Sequence, residues 1–124
     1  MLASPNRPLF SLVAAILLTG SLGSIHAFSI FIEPFELAFN ASRESVSLVY
    51  SAALTSLTVA VLVSHWLFRL ASAATIFALV GLTSALGLSL PMWLEDMLWL
   101  YIGYGLIFGF ANGLGYALAL QLAA

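Results

Sequence analysis

The sequence has no cysteine and no lysine, and charged residues make up only 6% of its 124 positions. Each scarcity removes a class of protein. Without cysteine there is no disulfide, no thiolate nucleophile, and no zinc or iron–sulfur site held through sulfur. A formal net charge of −2 offers no electrostatic footprint for nucleic acid. A soluble domain carries roughly 25% charged residues, because it must present a solvated surface. A soluble helical bundle needs a charged outer face on every helix, and three arginines with five acids cannot supply even one. Most of the surface is therefore expected to meet lipid.

What the chain does have is hydrophobic residues, at 63% of the sequence, in long uncharged intervals. Positions 8–32, 45–68, 70–94 and 97–124 hold no formal charge. A membrane-spanning helix needs about 20 apolar residues at a rise of roughly 1.5 Å each. Every interval is long enough, with room for tilt. Inside a bilayer, backbone amides must be satisfied by the segment itself or by a closed barrel. Barrel strands alternate strictly over about 10 residues, and runs such as Leu57–Leu62 and Ile76–Leu82 do not. The expected fold class is an all-α membrane protein of four transmembrane helices, a single domain over residues 1–124. The expected spans are about 9–32, 45–68, 70–90 and 97–121.

The connections follow from turn and cap chemistry. Met1–Pro8 reads as a short polar start. Glu33-Pro34 is expected to end or kink the first helix, since the residue before proline is pushed out of the helical region. A loop over 33–44 follows. Within it, Ser42 suits an N-cap, and Glu44 would sit in the first turn of the second helix. Arg69 marks a very short turn at 69–71. Pro91 with Glu95-Asp96 makes the third connection, at 91–97, flanked by Trp93, Trp99 and Tyr101 as an interfacial aromatic belt. The first apolar stretch exceeds the roughly 7–15 residues of a signal peptide, so it reads as a retained span. Arg7 and Arg69 fall on one side and Arg43 on the other, which favours cytoplasmic termini in a plasma or inner membrane. The close on Gln121-Leu122-Ala123-Ala124, without a charged or aromatic anchor, reads as truncation within or just after the fourth span.

A few residues stand out as candidates for function. His26 lies past the middle of the first span, beside Ser24 and Ser29, and an ionisable residue at membrane depth is a functional hypothesis by default. Imidazole is also the side-chain type suited to proton coupling near neutral pH. The competing reading is a neutral histidine hydrogen-bonded to a neighbouring helix. Asn112 and Tyr116, one turn apart in the fourth span, could meet a polar solute, pair with another helix, or simply pack. Gly105, Gly109 and Gly113 recur at spacing four, a small-residue face that lets another helix approach closely. Ser47, Ser51, Thr55 and Thr58 share one face of the second span, continued by His65. They suit interhelical hydrogen bonds or a solute-lining wall. Glu33 and Glu36 read as solvated loop acids, because no nucleophile or metal set converges with them. Asn40-Ala41-Ser42 matches a glycosylation sequon, a tripeptide common by chance. No enzyme activity, metal or cofactor is expected.

Several stretches resemble one family. Gly23–Phe35 (GSIHAFSIFIEPF), Phe39-Asn-Ala-Ser-Arg43 and Val46-Ser-Leu-Val-Tyr-Ser51 look like the opening of major facilitator transporters. They are most similar to the oxalate/formate-antiporter and monocarboxylate-transporter branch. Tyr104-Gly105 through Gly113-Leu-Gly115-Tyr116 resembles its glycine-rich fourth helix. The similarity extends over nearly the whole chain. One departure matters: the family's Gly-x-x-x-Asp-Arg-x-Gly-Arg loop corresponds to Val61–Arg69, where only Arg69 survives as a remnant of the cytoplasmic motif. The resemblance implies a partial N-terminal bundle of a secondary transporter, with the remaining helices as partners. It also implies a small solute of the organic-anion or monocarboxylate kind, and helices 1 and 4 as cavity walls that bring His26, Asn112 and Tyr116 together. Two other readings stand beside it. One is a complete four-span small multidrug-type exporter, against which Glu33 sits at the wrong end of its helix. The other is a non-transporting scaffold subunit that uses the glycine face alone.

Overall fold

The computed structural model of the chain describes residues 7–124. The polar start expected at Met1–Pro8 lies outside these residues as far as Asn6, and so do the side chains of Arg7 and Ser24. Among the described residues the regular structure is entirely helical, and four helices are long and apolar enough to cross a membrane. Helix α1 is continuous but changes winding twice: α-helical over Arg7–Leu22, 3₁₀ over Gly23–Phe31, and α-helical again over Ile32–Phe39. Helices α2 (Arg43–Leu70) and α3 (Ala73–Leu94) are α-helical throughout. Helix α4 (Met97–Ala123) begins as one α turn, widens to a π winding over Tyr101–Phe108, and returns to α at Gly109.

The connections are shorter than expected: 40–42, 71–72 and 95–96. Each helix after α1 starts on a side-chain cap. Ser42 Oγ accepts from the Ser45 N–H at 3.2 Å, Ser72 Oγ from Thr75 at 3.3 Å, and the Asp96 carboxylate from Leu98 at 3.2 Å. Helices α1 and α3 stop where Asn40 (φ 47°) and Glu95 (φ 38°) turn left-handed.

Three expectations are corrected here. The first helix does not end near Ile32 but reaches Phe39. Pro34 is the third residue of the second α-helical stretch, just past the change of winding, and the helix passes through it although it has no N–H to give an upstream carbonyl. Glu33 and Glu36 are therefore helical rather than loop residues, and Glu36 pairs with Arg43 across the connection at 3.6 Å. The second correction is that α2 runs through Arg69, so the short turn falls at 71–72 rather than 69–71. The third is that Pro91 lies inside α3, which continues to Leu94. A proline there leaves the carbonyl of Gly87 without its usual donor four residues on. That carbonyl instead faces Gly103 of α4, on the side where a Cβ would stand. Any side chain at 103 would collide with it.

Helix α4 occupies the centre and packs on all three others. Of its apolar stretch 56% is buried, against 17–24% for the other helices. Its seam with α2 keeps one register over about three turns. Tyr101 Oη donates to the Ser45 carbonyl at 2.7 Å; further along, Gly105 lies on Val49, Gly109 on Ala53 and Gly113 on Leu57. A Cβ on Gly109 would stand 2.6 Å from the Ala53 oxygen. The constant offset makes α2 and α4 parallel, as two hairpin reversals require. The exterior carries Phe10, Leu37, Leu62, Trp66, Leu70 and Trp93, all strongly exposed. So apolar a surface suits lipid or another apolar partner.

Candidate functional site

The change of winding in α1 builds the site. In 3₁₀ helix, residues three apart lie directly above one another. Leu22, Ile25 and Phe28 fall at that spacing and are all buried. Phe28 anchors the stretch inside an aromatic cluster, with ring centroids 5.0 Å from Tyr104 and 5.5 Å from Tyr50. Gly23, His26, Ser29 and Ile32 fall at the same spacing on the neighbouring strip, which faces two adjoining cavities.

The larger cavity, of about 370 Å³, is lined by Thr19, Leu22, Gly23 and His26 of α1, Leu54 and Leu57 of α2, and Asn112 and Tyr116 of α4. The smaller, of about 140 Å³, is lined by His26, Phe28, Ser29, Ile32, Ser47 and Tyr50. His26 is the wall that they share. Among the described residues no arginine or acid lines either one. Tyr116 is half exposed, whereas Asn112 is buried at 3% exposure. The Asn112 Nδ2 amide donates to the Leu22 carbonyl at 2.6 Å. That carbonyl belongs to the last α-helical residue before the 3₁₀ stretch.

The other singled-out residues fall elsewhere. Gly105, Gly109 and Gly113 line the α2 seam. Arg69 sits exposed in the last turn of α2, where the helix dipole favours a cation, beside Trp66 and Leu70 and away from both cavities. On the hydroxyl face of α2, Ser51, Thr55 and Thr58 donate to carbonyls of their own helix, at 3.5, 2.9 and 2.9 Å. Only Ser47 of that face reaches a cavity, and His65 is exposed at the far end. Thr19 and Tyr50 went unread in the sequence as lining residues. The three-residue spacing Gly23–His26–Ser29 was the available signal, and it carries meaning only once the winding is known to be 3₁₀.

These features define the class: an all-helical chain with four helices long and apolar enough to cross a membrane, and a partly polar pair of cavities set among them. The chain matches no protein-family model, no curated protein and no solved structure.

Proposed function

We propose that the chain is the N-terminal part of a secondary transporter of the major facilitator type, and that His26, Asn112 and Tyr116 belong to its solute-facing wall. One observation carries this reading: the three side chains, from α1 and α4, line a single cavity within the apolar length of both helices. Polar groups at that depth are costly against lipid and persist where protein, water or solute meets them. A volume of about 370 Å³ suits a small molecule. The lining matches the usual pattern of such sites, mainly apolar with a few convergent polar groups. The family resemblance directs the substrate search to small organic anions. The distribution of Arg7, Arg43 and Arg69 favours cytoplasmic termini. A four-span multidrug-type exporter would need an acid in the bundle interior, and the exposed position of Glu33 disfavours it.

Uptake of radiolabelled formate, oxalate and lactate tests the reading, measured in cells that express the chain together with the helices completing it. The expected result is saturable uptake whose affinity changes several-fold in His26→Ala. Saturable uptake with unchanged affinity removes His26 from the solute wall. No saturable uptake of any of these solutes, from a protein that reaches the membrane folded, counts against the transporter and leaves a scaffold role.

A further inference from the structure

The hydrogen bond from Asn112 to Leu22 joins α4 to the point where α1 changes its winding. A 3₁₀ helix still pairs its own carbonyls, with donors three residues on and in poorer geometry, and in lipid a donor from a neighbouring helix can supplement them. Long 3₁₀ runs are uncommon because of that geometry, and this one extends over nine residues. The winding is also what stacks Gly23, His26 and Ser29 in a line. In an α-helix each three-residue step falls short of a full turn, so the same residues would drift around the axis and leave the cavity wall.

We propose that Asn112 is a positioning residue: its amide, held on the Leu22 carbonyl, keeps α1 in the 3₁₀ winding that aligns His26 and Ser29 along the two cavities. The buried clasp and the aromatic anchor of Phe28 on Tyr104 hold the two ends of the stretch against α4. This assignment rests on geometry and stands whether or not the protein transports.

The winding has a length that can be measured. Nine residues of 3₁₀ helix are about 4–5 Å longer than nine of α-helix, from rises of roughly 2.0 and 1.5 Å. The chain has no cysteine, so spin labels can be placed at will. Leu17 and Leu37, 65% and 79% exposed, straddle the stretch. A second pair at Leu48 and Leu62 reports on α2 alone. In the chain reconstituted in lipid nanodiscs, Asn112→Leu is expected to shorten or broaden the 17–37 distance toward the α-helical value. The 48–62 distance stays fixed, and Asn112→Gln, which retains the amide, restores the native distribution at least in part. An unchanged 17–37 distribution in folded Asn112→Leu overturns the assignment. Should that variant lose its fold, glycolic acid in place of Gly23 makes Leu22 an ester carbonyl, a poorer acceptor, with every side chain intact; because the swap also removes the Gly23 N–H, glycolic acid in place of Gly20 is the control for a lost helix donor and should leave the distance unchanged. The same shortening with Gly23 replaced then supports the clasp, and an unaltered distance there refutes it.

Discussion

At the scale of single residues, a glycine's role depends on what lies above its Cα. A methyl on Gly109 would meet the Ala53 carbonyl oxygen at 2.6 Å, and that oxygen belongs to backbone that cannot turn aside. A methyl on Gly81 would meet nothing within 4 Å. Gly109→Ala is therefore expected to destabilise the fold by about 1–3 kcal/mol, the usual range for overpacking. Gly81→Ala should be neutral or stabilising by up to about 1 kcal/mol, because alanine is the better helix former. Denaturant titration in detergent measures both, and a larger loss at 81 than at 109 would contradict the α2–α4 seam. The bulkier contrast follows the same logic: Gly109→Leu should abolish packing while Leu106→Ile, at an exposed position, is tolerated. Among the described residues, Tyr101 makes a second interhelical hydrogen bond, to the Ser45 carbonyl. Tyr101→Phe keeps the ring and loses the donor, for an expected cost of about 0.6–1.5 kcal/mol by the same titration. A variant as stable as the native chain would show that the bond contributes nothing net.

At the scale of elements, helix starts matter more than helix ends in this chain. The connections at 71–72 and 95–96 are two residues long, so caps and turns coincide. Ser72→Ala removes the acceptor for the Thr75 N–H and is expected to cost about 0.5–2 kcal/mol, with Ser72→Asp retaining most of the stability. Hydrogen exchange in the first turn of α3 should accelerate in the alanine variant, and no change there would place the stabilisation elsewhere. Irregular winding is the second theme at this scale. The 3₁₀ stretch of α1 and the π stretch of α4 meet where Phe28 packs on Tyr104. Departures from the α winding weaken the hydrogen bonds of a helix, and contacts with neighbouring helices can offset that. Here each is buried on one side, and that of α1 borders two cavities.

At the scale of the whole molecule, three hairpin reversals put residues 40–42 and 95–96 at one end and residues 71–72 at the other. Single cysteines at Ser42 and Glu95 should react with an impermeant maleimide from the same side of the membrane, and one at Ser72 from the opposite side. The cysteine-free background makes each label unambiguous. Any other pattern would break the four-span arrangement. The helices also exceed the bilayer. The 28 residues of α2 extend about 42 Å against a hydrocarbon core of about 30 Å. The surplus either stands clear of the lipid or is absorbed by tilt. Its two ends carry Arg43, Glu44 and Arg69, as either outcome requires.

The sequence by itself determined the solvent, the secondary structure and the number of long apolar helices. Scarce charge forbids a solvated surface, unpaired amides leave only helix or closed barrel in lipid, and the apolar runs do not alternate as barrel strands do, so these conclusions need no tertiary information. It also located the close-approach face of α4, since glycines at spacing four fall on one side of any helix. The connection lengths were less legible. Pro34 and Pro91 both read as breaks, yet the helix passes through one just past its change of winding, and the other leaves a carbonyl that Gly103 accommodates. Both outcomes depend on neighbours that the local sequence does not contain. Tertiary structure alone decided the winding of α1. Leu22, Ile25 and Phe28 commit to a three-residue period only because α4 offers Asn112 at one end and Tyr104 at the other. That choice, which costs hydrogen-bond geometry in α1 and is repaid by contacts 76 to 90 residues away, sets His26 on the wall between the two cavities.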